Sequence, residues 1–221
     1  MAYQIKEAFY SIQGEGVQAG RPAVFCRFVG CNLWSGREED RATAACNLCD
    51  TNFLGTDGQQ GGRFENAVQL AQHLAALWPW PEAETKLSRT ARPYVVLTGG
   101  EPLLQVDQPL IQALKQAGFE VAVETNGTLP VPTGIDWICV SPKGQARLQQ
   151  RSGDELKLVY PQAGVDPNSF LELDFQHFVL QPLDGTPQKE AQDFTQQTLA
   201  FCLRHPCWKM GIQLHKYLRI D

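Results

Sequence analysis

Short apolar runs of strand length recur along the chain, and several of them end in a polar or glycine-rich turn. The run ending at Leu97 continues into Thr-Gly-Gly-Glu-Pro, the run ending at Val123 into Glu-Thr-Asn-Gly, and the run ending at Val140 into Ser-Pro-Lys-Gly. Helix-like stretches separate the runs. This alternation is typical of a parallel α/β sheet whose site lies at the carboxyl ends of the strands.

The pattern predicts seven strands and three helices. The strands are Ala23 to Val29, Tyr94 to Leu97, Val121 to Glu124, Trp137 to Val140, Glu155 to Val159, Phe175 to Leu180 and Gly211 to His215. The helices are Phe64 to Trp78, Val106 to Ala117 and Lys189 to Arg204, while Ser35 to Ala45 and Asn52 to Gly62 are predicted loops. Too few units are visible for a closed eight-stranded barrel, so we predict an α/β fold of the partial, modified (β/α) barrel type. A single domain over 1–221 is expected at this length.

Composition narrows the class of protein. The formal net charge is −5 and no cluster of Lys and Arg is visible, so neither a nucleic-acid nor a membrane partner is predicted. The first residues lack a charged region followed by an apolar one, which argues against a signal peptide and for a cytoplasmic protein. The odd number of cysteines, seven, argues against a disulfide framework.

Three of these cysteines, Cys31, Cys46 and Cys49, fall close together with the spacing C-x14-C-x2-C. A structural zinc site needs four ligands, and no fourth is obvious. A redox Cys-x-x-Cys pair needs no third cysteine. A 4Fe-4S cluster held by three thiolates leaves one iron open to a substrate or cofactor. Spacing alone leaves the cluster, zinc and neither at comparable odds.

The turn Gly99-Gly100-Glu101-Pro102 also permits two interpretations. Two glycines allow the backbone to approach a ligand closely, and the carboxylate of Glu101 could receive a cation such as an α-amino group. The simpler interpretation is a plain strand-to-helix turn with Pro102 in the first helical turn.

The cysteine loop after the first strand, together with Gly-Gly-Glu-Pro after the second, resembles the radical S-adenosylmethionine (SAM) superfamily. Within it, the chain resembles the 7-carboxy-7-deazaguanine synthase family, of which one subgroup has the long cysteine spacing instead of the usual C-x3-C-x2-C. The matching segments are Phe9 to Gly16, Gly20 to Arg27, Gly30 to Trp34, Cys49 to Thr51, Glu124 to Gly127, Ser141 to Lys143 and His215 to Leu218. Their order and combination cover nearly the whole chain.

The resemblance implies a function for sixteen residues. A 4Fe-4S cluster would be held by Cys31, Cys46 and Cys49, and Mg²⁺ by Thr51. SAM would be bound by Gly100, Glu101, Glu124, Asn126, Ser141, Lys143 and Gln181. The substrate would be bound by Gln13, Glu15, Arg27, Thr98 and His215.

Several of these residues also have a structural interpretation. Asn126 and Gly127 could form a tight turn, and Lys143 could be a solvated loop charge. Arg27 could belong to a structural ion pair, because buried charges are usually paired. His215 could be structural as well, since its assignment depends on the family alone.

The implied substrate is 6-carboxy-5,6,7,8-tetrahydropterin. Gln13 and Glu15 suit the hydrogen-bonding edge of a pterin, and the Arg27 guanidinium suits the substrate carboxylate. The implied reaction is a radical ring contraction with loss of ammonia, which gives 7-carboxy-7-deazaguanine for queuosine and related deazapurines. A flavodoxin or ferredoxin as electron donor and a homodimer are implied too. A glycyl-radical activase and a zinc-stabilised binding module stay open as alternatives.

Overall fold

The computed structural model describes residues 2–79, 92–184 and 193–220. They form one nine-stranded sheet in the order β3-β1-β2-β4-β5-β6-β7-β8-β9. The strands are β1 (Tyr3–Ile12), β2 (Pro22–Phe28), β3 (Gly62–Phe64), β4 (Tyr94–Gly99), β5 (Glu120–Thr125), β6 (Trp137–Val140), β7 (Ser152–Tyr160), β8 (Asp174–Pro182) and β9 (Lys209–Met210). The helices are α1 (Ala67–Leu77), α2 (Gln108–Gln116), α3 (Phe194–Arg204) and α4 (Leu214–Leu218).

The sheet is open and mostly parallel, which confirms the predicted partial barrel. From β2 through β9 each neighbouring pair of strands is parallel, whereas β1 lies antiparallel to β2, and β3 antiparallel to β1. The carboxyl ends of the parallel strands therefore lie along one edge of the sheet.

Capping side chains fix where the three longer helices begin. Asn66, Asp107 and Asp193 each accept a hydrogen bond from a backbone N–H in the first turn of α1, α2 and α3, at 3.0, 3.1 and 3.0 Å. Such caps satisfy donors that a helix leaves without partners. The predicted helix over Lys189 to Arg204 is confirmed from Phe194 onward, and residues 189–192 lie outside the described part.

The two faces of the sheet have different coverings. On one face, α1 and α2 pack over β2, β4 and β5, with Leu70, Leu110 and Leu97 fully buried. A second cluster on β6 to β8, including Leu156 and Leu180, is joined by Phe201 of α3. The opposite face has a small apolar cluster of Ala23, Tyr94, Val96 and Ala122 and is otherwise the wall of a cavity.

The segment after β9 and the start of the first helix depart from the prediction. Gly211 to His215 is not a strand: β9 ends at Met210, and α4 begins at Leu214. The chain leaves the sheet because the Leu214 N–H donates to the carbonyl of Gly14, at 2.7 Å, and so ties the tail to the loop after β1. The predicted helix beginning at Phe64 starts instead at Ala67, because Phe64 belongs to β3 and pairs with Tyr3 of β1.

Strand β1 was missed altogether. Its register against β2 shifts between Ile5 and Glu7, so the period-two alternation that marks a strand is interrupted. In the part of the chain that the structure describes, no helix is both long and apolar enough to cross a membrane.

Candidate active site

A cavity of about 1000 Å³ lies at the carboxyl ends of the parallel strands. It is lined by every residue to which the resemblance gave a function, except Cys31, Cys46 and Glu101. Strand alternation explains this arrangement. In β7, for example, Leu156 and Leu158 face the helices, whereas Lys157 and Val159 face the cavity.

Two acids and a lysine form the most tightly connected part of the cavity wall, which we call the acid–lysine cluster (Glu15, Glu124 and Lys157). The Lys157 ammonium lies 2.7 Å from Glu15 Oε2 and 3.3 Å from Glu124 Oε2. Glu15 Oε1 accepts from the Gln213 amide at 2.8 Å, and Glu124 Oε1 from the Gln13 amide, also at 2.8 Å. Each carboxylate oxygen thus has one protein donor.

The contacts within the cluster set the protonation states of Glu15 and Lys157. Burial alone would raise the pKa of Glu15, but the charge and hydrogen bond of Lys157, with Gln213 and His215, outweigh it and hold the pKa well below its ordinary value. Burial likewise opposes a charged Lys157, but Glu124 and Glu15 raise its pKa. At neutral pH, an ammonium therefore sits beside an ionised Glu15.

The other residues assigned to the substrate surround this cluster. Arg27 donates from Nε to Glu7 Oε1 at 2.7 Å, so the ion-pair interpretation is correct for that atom. Its Nη atoms make no hydrogen bond with any described residue, and the side chain lines the cavity. His215 packs against Gly14 so closely that a Cβ on Gly14 would lie 2.1 Å from its Nδ1. Thr98 lies near the end of β4.

The Gly99-Gly100-Glu101 turn brings two loops into contact. A Cβ on Gly100 would lie 2.0 Å from the Gly30 carbonyl oxygen and 3.0 Å from Cys31 Cβ, so only glycine fits this approach. Glu101 is fully buried and accepts from Leu103 N, Thr125 Oγ1 and Asn126 N at 3.0, 2.8 and 2.8 Å. Glu101 thus caps the turn after β4, in agreement with the strand-to-helix interpretation, and its contact with SAM stays a prediction.

Polar groups cover the part of the cavity nearest the cysteine loop. Lys143 Nζ donates to Ser141 Oγ at 2.7 Å, and Asn126 Nδ2 donates to Asn32 Oδ1 at 2.9 Å, next to Cys31. The Gln181 Oε1 atom is buried and has no hydrogen-bond partner among the described residues. Because a buried acceptor without a partner is costly, Gln181 suits a ligand that donates a hydrogen bond.

The three cysteines lie in one segment but do not converge. In the described ranges, no three His, Cys, Asp or Glu side chains come close enough to hold a metal ion. Burial raises the pKa of the Cys31 and Cys49 thiols, and the neighbouring Cys46 adds to the rise in both. Three thiols fit a 4Fe-4S cluster that keeps one iron open. To hold one, the irregular stretch 44–50 with Cys46 and Cys49 would have to close on Cys31.

The predicted loop Ser35 to Ala45 contains a short 3-10 helix, Glu38–Thr43, that supports the cysteine segment. The Arg41 guanidinium stacks on the Trp34 ring at 4.1 Å. It also donates to the carbonyls of Asn47 and Cys49 at 3.2 and 2.9 Å.

Thr51, assigned to Mg²⁺, lines the cavity. Its neighbour Asp50 forms an ion pair with Lys216, at 3.1 Å, and Lys216 also pairs with Asp184 at 2.6 Å. The tail is thereby fastened to the cysteine segment and to the end of β8.

Sequence reasoning missed Lys157, Gln213 and Arg41. Lys157 lies in a predicted strand, and the sequence Glu-Leu-Lys-Leu-Val alternates, so the pattern places a charge on the face away from the helices. The sequence carries no comparable signal for Gln213, which lies just before α4, or for Arg41, which lies in a short 3-10 helix within a predicted loop.

Comparisons with known proteins identify the family of the chain. No protein-family model matches the chain. The 7-carboxy-7-deazaguanine synthases of Bordetella pertussis and Burkholderia multivorans are 57% and 54% identical to it over 220 residues, covering 100% of each chain. Among solved structures, QueE from Escherichia coli has a TM-score of 0.69 and 26% identity, over 97% of this chain and 95% of that chain. Identity of this order over full length shows that the chain belongs to the 7-carboxy-7-deazaguanine synthase family.

Proposed function

We propose that the protein converts 6-carboxy-5,6,7,8-tetrahydropterin to 7-carboxy-7-deazaguanine, with loss of ammonia, as a radical SAM enzyme. The observation that best supports this is the division of one large cavity into two ends. The acid–lysine cluster suits the N–H groups of a heterocycle, while Asn126, Ser141 and Lys143 suit the polar groups of SAM. Neither a zinc-stabilised module nor a glycyl-radical activase accounts for both ends.

Cys31, Cys46 and Cys49 would hold a 4Fe-4S cluster, and Thr51 would bind Mg²⁺. When bound, the cluster and SAM supply a carbon-centred radical that removes a hydrogen atom, and the protein orients the reactants. Metal binding deprotonates thiols, so cluster assembly would overcome the raised pKa of Cys31 and Cys49.

The protein's own groups would position the substrate. The resemblance assigns Glu124 to SAM. Because Glu124 shares Lys157 with Glu15 and accepts from Gln13, we propose instead that Glu15 and Glu124 accept hydrogen bonds from the amino group and ring N–H of the pterin, and that the Gln13 amide holds Glu124 in place. The Arg27 Nη atoms would bind the substrate carboxylate, since Nε is occupied by Glu7. His215 would close the cavity from α4.

At the other end, the Lys143 ammonium and Ser141 hydroxyl would bind the carboxylate of SAM, and Asn126 would contact its ribose. Gln181 Oε1, buried without a partner among the described residues, would accept a hydrogen bond from SAM. Gly100 would offer its backbone, and we retain Glu101 as a proposed SAM residue on the family resemblance alone.

The proposal includes partners and organisation. A flavodoxin or ferredoxin would deliver the electron, and the active form would be a homodimer. Such donors are cytoplasmic, so the proposal places the reaction there. The chain would form a single domain over 1–221.

The test is anaerobic reconstitution with iron and sulfide, followed by incubation with SAM, a chemical reductant, Mg²⁺ and the carboxytetrahydropterin. Mass spectrometry should detect a deazapurine with little net consumption of SAM. Cleavage of SAM without this product would refute the substrate assignment. A Cys31→Ala protein that still turned over would refute the cluster assignment, and omission of Mg²⁺ tests the metal.

A further inference from the structure

Lys157 has an unusual position for a charged side chain. It lies in the middle of β7, and its side chain is only 6% exposed. Strand alternation directs it to the cavity, between acids from two other segments of the chain: Glu15 from the loop after β1, and Glu124 from β5. A buried ammonium is costly unless it is paired, so this arrangement has to serve either folding or binding.

We propose that Lys157 is a positioning residue of the substrate site, which holds the carboxylates of Glu15 and Glu124 side by side as an acceptor pair for a planar heterocycle with neighbouring N–H donors. This inference rests on the proposed function and deepens it, because it names the group that sets specificity for the amino edge of the pterin.

The hydrogen bonds of the cluster support the proposal. Lys157 binds one oxygen of each carboxylate, while Gln213 and Gln13 bind the other two. A carboxylate oxygen can accept two hydrogen bonds, so each keeps capacity for a ligand. With all four oxygens held by the protein, the pair presents acceptors only. A ligand edge that carries a carbonyl in place of the amino group would place its acceptor oxygen against the acceptor oxygens of the carboxylates, and these would repel it.

The charges around Lys157 explain what its removal would do. The titratable groups facing it are Glu15, Glu124, Glu155 of the same strand and Cys139 of β6, and His215 faces Glu15. Without the ammonium, two neighbouring carboxylates would repel each other in a buried site. Burial raises the pKa of Glu15 and the charge of Lys157 opposes this rise, so without Lys157 the Glu15 carboxyl would take up a proton more readily and become a donor.

The main experiment measures KM and kcat for the carboxytetrahydropterin in Lys157→Met and Lys157→Arg, from pH 5.5 to 8.5. In Lys157→Met, KM at pH 7 should rise about tenfold or more, as for a lost charged hydrogen bond, with a much smaller change in kcat. The KM of this variant should then fall as the pH rises, because deprotonation restores the acceptor. Lys157→Arg keeps the charge and should show a KM that is independent of pH.

A binding measurement without turnover supplies a second readout. The probes are 6-carboxypterin and its 2-oxo analogue, 6-carboxylumazine, titrated into the unreduced enzyme. The wild type should prefer the amino compound by about a hundredfold, as expected when a hydrogen bond to a charged acceptor is lost. Lys157→Met should lose most of this preference. An unchanged preference together with a KM that does not vary with pH would refute the proposal.

Lys157→Met could unfold, because it leaves two buried acids without their cation. The double variant Lys157→Met/Glu124→Gln keeps the net charge of the cluster and is compared with Glu124→Gln alone. If Lys157 only neutralises charge for folding, the double variant and Glu124→Gln alone should have the same KM at every pH. That result would overturn the inference. We expect the double variant alone to gain a pH-dependent KM, because Glu15 stays buried there without the cation that opposes its protonation. Failure of the wild type to make product would instead refute the proposed function.

Discussion

At the residue scale, Glu155 shows how a buried acid can stabilise a loop at the cost of pH sensitivity. Its Oε2 accepts from the Val17 N–H at 3.0 Å, whereas Oε1 is buried with no partner among the described residues. A Cβ on Gly16 would lie 2.1 Å from Oε1, so the carboxylate packs directly against the loop after β1. Burial raises the pKa of Glu155, although Lys157 and the Val17 N–H oppose the rise.

This raised pKa predicts a pH-dependent stability. Between the ordinary value of 4.5 and the raised pKa, the folded state binds more protons than the unfolded state. The free energy of unfolding should therefore fall as the pH rises through this interval, by about 1.4 kcal/mol for each pH unit that the interval spans. Glu155→Gln should remove that part of the slope, so its stability relative to wild type should be greater at pH 8 than at pH 4.5.

Urea denaturation at a series of pH values measures the effect. The matched control is Glu172→Gln, an exposed residue, which should follow the wild-type curve. A parallel shift of the Glu155→Gln curve at all pH values would show that the pKa of Glu155 is the same in the folded and unfolded states, and that its packing, not its charge, matters.

The same residue shows where prediction from sequence reaches its limit. A strand over Glu155 to Val159 followed from its composition, and alternation could have placed Glu155 and Lys157 on the cavity face. Their partners could not be predicted, because Glu15 and Val17 reach them from the loop after β1. Glu101 is a second case, because the turn after β4 could be predicted but not the three hydrogen bonds that its buried carboxylate accepts from Leu103, Thr125 and Asn126.

At the element scale, the segment between Cys31 and Cys46 has a definable structural function. Its 3-10 helix carries Arg41. The Arg41 guanidinium stacks on the Trp34 ring and donates hydrogen bonds to two carbonyls of the Cys46–Cys49 stretch. Glu38 pairs with Arg41 at 2.8 Å and fixes its direction. The residues inserted by the long cysteine spacing therefore stabilise, through Arg41, a stretch that has no regular secondary structure of its own.

Arg41→Met should weaken the attachment of the Cys46–Cys49 stretch to the 3-10 helix. Two hydrogen bonds from a charged donor to carbonyls would be lost, so the Cys46–Cys49 stretch should open more often. We expect an iron chelator to remove iron from the reconstituted protein about tenfold faster than from wild type, while secondary structure by circular dichroism is unchanged.

Arg37→Met is the matched control for Arg41. Arg37 belongs to the same segment but is 68% exposed, and its ion pair with Glu39 spans 3.8 Å. Surface pairs of this kind contribute little, so iron release should keep the wild-type rate. Equal acceleration in both variants would mean that general loosening of the segment, and not the carbonyl contacts of Arg41, controls the cysteine stretch.

Elements with a clean pattern were predictable, and those shaped by tertiary contacts were not. The strand Trp137–Val140 has the bounds predicted for it, because an apolar run between turns suffices to define a central parallel strand. β1 was missed because a register shift disturbs its alternation. The tail was wrongly predicted as a strand because its path depends on the Gly14 carbonyl, which no local pattern reveals.

At the scale of the whole molecule, two apolar clusters lie on the same face of the sheet. One joins α1 and α2 to β1, β2, β4 and β5, and the other joins α3 to β6, β7 and β8. Ile138 packs against both, and the continuous ladder between β5 and β6 connects the strands beneath them. The cavity crosses this junction, since Glu124 comes from one side and Lys157 from the other.

A single cooperative unit is therefore expected, as the proposed single domain requires. Leu156→Ala removes a fully buried side chain from the second cluster and should lower the free energy of unfolding by about 2–5 kcal/mol. If the unit is single, hydrogen exchange should show the slowest amides of β4 losing as much protection as those of β7, although β4 packs in the other cluster. Leu203→Ala, at a residue that is 76% exposed in α3, should leave both unchanged. Loss of protection confined to β6 to β8 would divide the molecule into two units. The acid–lysine cluster would then lie between them, and substrate affinity should fall with the stability of the second cluster alone.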